Sequence, residues 1–229
     1  MDRTTSIFAA LAMVLLGSAP ASGQPCPANS FHTGGLGFYE ESPTAPTWSF
    51  GPSRYDLVAG TCGAFLTGGG EAGSTLFLLV RDRYRIVGPE SADPIPVTVR
   101  FRVTGLAGGG VYALPFLGPS CQGTRARLRL ASGASLDEAI LESRREPTCG
   151  DTAIDETLEI ALAPVPGEEF EVAASLDLAA AQFVAVTTSG AISFAGLPPG
   201  AAIQSCQGYA GPVVPAARSS WGRLKGAYR

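Results

Sequence analysis

Few of the side chains that carry out catalysis occur in this chain: its 229 residues include one histidine (His32), one lysine (Lys225) and one asparagine (Asn29). A Ser-His-Asp triad would have to recruit His32 from a glycine-rich N-terminal stretch, and no GxSxG elbow accompanies it. The segment GGGEAGST, Gly68 to Thr75, matches GxGxxG in form. Ser74 stands where a phosphate loop needs lysine, however, and an alternating run follows where a helix should begin, so the segment reads as a glycine turn between strands. Paired carboxylates are the hydrolytic device still available. Glycoside hydrolysis sets two acids about 5–5.5 Å or 6.5–9.5 Å apart, and Glu138 with Glu142, or Asp151 with Asp155, are such candidates. Nothing selects them from the 12 acids between residues 137 and 177, where solvated acidic strand faces are the base expectation. Calcium could find oxygen ligands at Asp151, Asp155 and Glu156, although DxDxDG spacing is missing. No catalytic residue and no cofactor is assigned from these patterns.

Arginine is the abundant functional group, and its spacing is regular. Arg81, Arg83 and Arg85, then Arg100 and Arg102, then Arg125, Arg127 and Arg129 recur every second residue. They give the block from 81 to 129 a charge of +5, whereas residues 137 to 177 carry −10. One use for such rows is a stripe for an anionic glycan, because a guanidinium offers a planar fork of donors to carboxylate or sulfate. The ordinary use is cross-strand pairing with acids such as Glu159, Glu169 and Glu171, at about 0.2–1 kcal/mol a pair. A net charge of −4 argues against a binder driven by nucleic-acid phosphates.

Five cysteines (Cys26, Cys62, Cys121, Cys149, Cys206) contain no CxxC pair, which removes zinc knuckles and thioredoxin-type sites. In an exported protein they read as disulfide partners with one left over. Cys121 with Cys149 is the favoured pair, since a strand, a loop and a second strand between them would bring the ends together. Trp48, Phe50 and Tyr55 lie among Pro43, Pro46 and Pro52. Exposed in a row they would suit stacking on a sugar, but aromatics in such settings more often close the end of a core.

The elements that must position these residues are strands. In β structure alternate side chains point to opposite faces, and from Arg54 onward apolar residues keep that period. Leu76, Leu78, Val80, Tyr84 and Ile86 oppose the first arginine row; Val97, Val99, Phe101 and Val103 oppose the second; Ala126, Leu128 and Leu130 the third. Leu158, Ile160 and Leu162, then Phe170 through Leu178, continue the pattern. Residues 135–145 have a capping-box start at Ser135 and Glu138 but read better as strand. With 29 Gly and 18 Pro punctuating the runs, the expectation is an all-β antiparallel β-sandwich, jelly-roll or Ig-like Greek key, with little helix.

The ends differ from this body. Residues 1–23 place Arg3 ahead of an apolar run, Ile7 to Leu16, with Ala19 and Ala21 near a cleavage point, the pattern of a secretory signal peptide. That run is shorter than the roughly 20 residues a spanning helix needs, so no membrane segment is expected to survive cleavage. The expected sandwich covers 24–211, and 212–229 form a basic linker and tail. There Trp221, Leu224 and Tyr228 share one face of a short helix suited to docking or sorting.

The segments RDRYRIVGPESADPIPVTVRFRVTG (81–105) and FVAVTTSGAISFAGLPPGAAIQSCQGY (183–209) resemble the β-sandwich domains of bacterial exported proteins that end in PEP-CTERM or related anchor signals. Val213 to Ala216 stand where Val-Pro-Glu-Pro would be, without Pro-Glu-Pro and without a following spanning segment. The resemblance implies an envelope or extracellular structural protein without catalysis, and no functional residue carries over. The leading expectation is therefore a secreted, extracellular, cell-surface or periplasmic structural protein. Its partners would be a surface or matrix glycan, or sorting machinery reached through the tail. A carbohydrate-binding module comes second and a glycan hydrolase third.

Overall fold

The computed structural model describes residues 25–35, 39–68, 73–88, 93–114, 118–142, 150–181, 184–211 and 213–215. Sixteen strands and no helix occur among them. In chain order they are β1 (Ser30–Gly34), β2 (Tyr39–Glu41), β3 (Thr47–Phe50), β4 (Ser53–Asp56), β5 (Thr61–Thr67), β6 (Ser74–Val87), β7 (Val97–Ala107) and β8 (Gly110–Leu114). Then follow β9 (Gly118–Gln122), β10 (Thr124–Ser132), β11 (Ser135–Glu142), β12 (Thr152–Leu162), β13 (Glu169–Ala180), β14 (Ala185–Leu197), β15 (Ala202–Ser205) and β16 (Val213–Pro215).

Two sheets pack face to face. The first runs β11-β10-β13-β6-β1-β2 with β15 also on β6, the second β12-β7-β14-β5-β4-β3 with β16 on β14, and β8-β9 form a separate hairpin. All pairs are antiparallel except β14 with β16, so the chain is an antiparallel β-sandwich. The expected parity fills its interior. Leu76, Leu78, Val80, Tyr84 and Ile86 from β6 meet Val97, Val99, Phe101 and Val103 from β7, together with Leu128, Leu130, Leu176, Leu178 and Phe194. Each such side chain contributes roughly 1.5–3 kcal/mol by leaving water. Residues 135–142 are strand because Gly133, at φ 55°, makes a two-residue turn that returns the chain along β10 from Ser132↔Ser135 onward. The glycine segment 68–73 joins β5 to β6, two strands, and therefore lacks the helix a phosphate loop requires.

Each sheet has an interrupted neighbour beside a long central strand. On β6, β1 covers Thr75 to Leu79 and β15 covers Tyr84 to Val87. On β14, β5 covers Ala185 to Ala191 and β16 covers Phe194 to Leu197. The segment after β15 passes from the first sheet to the second and plugs both gaps. Cys206 N–H donates to Arg83 O at 2.8 Å, and the Tyr209 hydroxyl donates to Ile192 O at 3.1 Å.

Candidate functional site

Among the described residues, polar and aromatic side chains gather in three places: the arginine rows, an aromatic seam and the crossover at the two gaps. The rows sit on the outer faces because their parity opposes the core. Register decides their partners. Arg100 lies directly opposite Glu159 and pairs at 2.6 Å, and Arg125 lies opposite Glu142 at 3.5 Å. Arg129 lies opposite Glu138 at 2.5 Å, and Arg127 reaches the same carboxylate through two bonds, at 2.9 and 3.0 Å. Arg102 reaches diagonally to Asp155 at 3.3 Å and Arg83 to Glu169 at 3.2 Å, while Glu171 is the residue in register with Arg83. Arg83 also donates to Pro25 O, Arg81 donates to Ala28 O at 3.0 Å, and Arg85 to Gln204 Oε1 at 2.8 Å. All eight arginines thus engage their own neighbours. The two guanidiniums hold the Glu138 carboxyl below its ordinary range through hydrogen bonds, Arg127 first.

The carboxylates considered for hydrolysis or calcium are drawn into the same ladder. Glu138, Glu142 and Asp155 face arginines, and Asp151 Oδ1 accepts the Gly109 N–H at 3.0 Å. Asp155 and Glu156 lie inside β12, not in a loop, so alternation sends their side chains to opposite faces. Among the described residues no group of three metal-ligating side chains assembles. A cavity of about 30 Å³ beside Arg83, Tyr84, Arg85, Glu169, Gln204, Ser205 and Cys206 has room for a water or two. His32 stacks on Phe77 at 4.8 Å on the outer face of the first sheet.

Trp48, Phe50 and Tyr55 do not form an exposed row. Tyr55 is buried at 2% exposure, its hydroxyl accepting from Asn29 Nδ2 at 3.0 Å and donating to Ala45 O at 3.1 Å. Trp48 and Phe50, on edge strand β3, pack on Phe31 of the opposite sheet at 4.6 and 5.5 Å and so close the seam between the sheets. Sequence reasoning missed two members. Tyr39, from edge strand β2, stacks on Phe50 at 4.3 Å. Glu41 accepts from the Tyr39 hydroxyl at 2.6 Å and from Trp48 Nε1 at 2.9 Å, which holds its carboxyl below the ordinary value. Tyr39 and Phe50 keep 36% and 42% exposure, leaving ring area open at the seam.

The crossover was also missed. Cys26 and Cys206 form a disulfide with Cα atoms 5.6 Å apart, joining residues 180 positions apart in the chain. Cys62 is a buried free thiol, pushed up to about 12 by desolvation. Of the Cys121 and Cys149 pair read from sequence, Cys149 lies outside the described residues, as do segment 1–23 and the tail residues Trp221, Leu224 and Tyr228. Beside the disulfide, Asp82 occupies a core-facing position of β6 at 1% exposure. Its Oδ1 accepts the N–H of Arg83 at 2.8 Å and of Gln207 at 3.2 Å, with Ser205 a further donor, while Oδ2 has no partner. Burial raises this carboxyl to about 6. A signal existed: Asp82 is the one acid in the parity of Leu76, Leu78, Val80, Tyr84 and Ile86.

No family model matches the chain, and no curated protein sequence matches it.

Proposed function

We propose that this chain is an exported, non-catalytic β-sandwich protein of the cell surface, periplasm or extracellular matrix. The observation that carries the reading is the arginine ladder. Six of the eight arginines pair with carboxylates of neighbouring strands and the other two donate to Ala28 O and Gln204, so the charge serves register and surface cohesion. The Cys26–Cys206 bond supports it as well, since such bonds persist in oxidising compartments. Partners would meet the protein at its surface, or at the basic tail if that segment sorts it. Expressing the full chain in a bacterial host and fractionating the culture tests this. The expected product is found outside the cytoplasm, lacks residues 1–23 and is oxidised at Cys26 and Cys206; a full-length, reduced protein held in the cytoplasm would overturn the reading.

A second reading, a carbohydrate-binding module, is favoured by the partly exposed rings of Tyr39 and Phe50, with Glu41 bonded to the Tyr39 hydroxyl, because sugar faces stack on aromatics while carboxylates accept hydroxyls. Titration with neutral and acidic oligosaccharides, followed by tryptophan fluorescence in a Trp221→Phe background that leaves Trp48 as the emitter, tests it. Binding should saturate and weaken at least about tenfold in Phe50→Ala, the loss of about 1.4 kcal/mol. A flat titration across both sugar classes removes this reading.

A further inference from the structure

The long edges of the two sheets lie side by side. β11 ends the first sheet and β12 the second, whereas the opposite ends, β2 and β3, are three and four residues long. The eight residues of β11 therefore present an open row of backbone groups, the template on which another strand can add. Leu136 and Ile140 alternate with Glu138 and Glu142 on its face away from the core. At 61% and 48% exposure they are the two most exposed large hydrophobic side chains among the described residues. The strand holds no lysine, arginine or proline, residues that commonly blunt an edge.

One residue of β11 stands against strand addition. Asp137 has the inward parity of Ala139 and Leu141, which pack on the core. Its Oδ1 accepts the Glu138 N–H at 2.9 Å, and its Oδ2 accepts the Glu159 N–H of β12 at 2.7 Å. An antiparallel ladder turns alternate N–H groups away from the paired strand, and these two are such outward donors. One carboxylate thus occupies the open edges of both sheets. A charge turned inward on an edge strand obstructs pairing, because an added strand strips it of donors and of water.

We propose that β11 is an edge that takes a second copy of this chain, and that Asp137 is the contact that holds it closed. The occupant follows from the strand's own sequence, since two-fold antiparallel pairing sets β11 against itself. With Ala139 opposite Ala139, Leu136 meets Glu142 and Glu138 meets Ile140, so no acid faces an acid. The neighbouring two-fold registers set Glu138 opposite itself or opposite Glu142. The charges of Glu138 and Glu142 are met by Arg127, Arg129 and Arg125 of β10, so two copies approach without an uncompensated acidic face. On the inner side the same register places Asp137 opposite Leu141, which offers its carboxylate no donor, while the Glu138 N–H passes to the incoming strand. Asp137 is therefore the group that loses by pairing, and its removal favours the pair.

Sedimentation velocity of the purified chain from about 1 to 100 μM reads the edge. The wild type should run as a single copy, and Asp137→Ala should pair at least about tenfold more tightly. Adding Ile140→Pro should return the variant to single copies: the Ile140 N–H shares the outward parity of Glu138, so proline blocks the added strand without removing a bond to β10. An Asp137→Ala chain that stays single, a wild type that pairs as tightly as the variant, or a double variant that pairs undiminished overturns the proposal. Should Asp137→Ala fail to fold, amide exchange in the wild type decides. Glu138 and Glu159 N–H groups exchanging at least about tenfold more slowly than that of Ile140 support the closed edge, and equal rates overturn it.

Discussion

Glu138 stands directly across the β10–β11 hairpin from Arg129, Oε2 lying 2.5 Å from Nε, and the same carboxylate is held by both arms of Arg127. One acid therefore joins two positions of β10 to edge strand β11, and the edge is where a sheet most needs its register specified. Removing it leaves two guanidiniums side by side.

Glu138→Gln should accordingly lower the melting temperature at pH 7. The sign with pH is set by the depressed carboxyl. Its contribution is complete above the ordinary value of 4.5 and is lost as pH falls through the lower folded value. Thermal scans of wild type and variant should differ at pH 7 and converge in strong acid; a constant gap across pH would show that the pairing contributes nothing.

The core makes a sharper demand at Gly190. A Cβ built there would lie 2.5 Å from Phe101 Cε2 and 3.1 Å from Cys62 Sγ, in a region where Phe101 has no exposed surface. Gly190→Ala should destabilise by about 1–3 kcal/mol through overpacking, read from urea midpoints. Adding Phe101→Leu should recover part of the loss. A double variant as unstable as the sum of the two single ones would place the strain elsewhere.

Thiol chemistry follows the same burial. Cys62 should resist iodoacetamide in the folded chain at pH 8 and react once urea exposes it, because its thiol is buried and its pKa pushed up to about 12. Peptide mapping should recover Cys26 linked to Cys206. Replacing both by serine should cost roughly 2–5 kcal/mol, the range for loss of a native disulfide. Rapid labelling of Cys62 in the native chain would contradict its place in the core.

Much of this architecture was legible as period two. Leu76 through Ile86 and Val97 through Val103 announced inner faces, and the arginines between them announced outer ones. Cross-strand pairing was legible in kind, with Glu159 and Glu169 named as acids, but which arginine meets which acid depends on register. Register is set by turns such as Gly133 and by strand order, which local pattern does not encode. The Cys26–Cys206 bond was illegible for a related reason: only the crossover after β15 carries Cys206 to the N-terminal segment. The seam depends on Phe31 and Tyr39, whose strands are too short to display a period. Asp82 is legible as a break in an apolar parity, but its depth and its contacts with Ser205 and Gln207 depend on the crossover, which that pattern does not encode.

That break sets the chain's stability against pH. In the folded state Asp82 holds its proton up to about 6, whereas the ordinary value is 3.8, so between these values the native state binds more protons than the unfolded one. Stability then falls as pH rises through that window, by roughly 2–3 kcal/mol for a shift of this size, and is level above it. Glu138 and Glu41, held below their ordinary values, act in the opposite sense but at lower pH. The two effects act in different windows, and the one between 3.8 and about 6 belongs to Asp82. Asp82→Asn keeps an oxygen for the Gln207 and Arg83 N–H groups and removes the titrating proton. Urea unfolding at half-unit steps should therefore show the decline from pH 4 to 6 in the wild type and its absence in the variant. A wild-type curve that rises steadily from pH 4 to 7 would mean that Asp82 is ionised in the core throughout, its charge met by groups other than Ser205, Gln207 and Arg83.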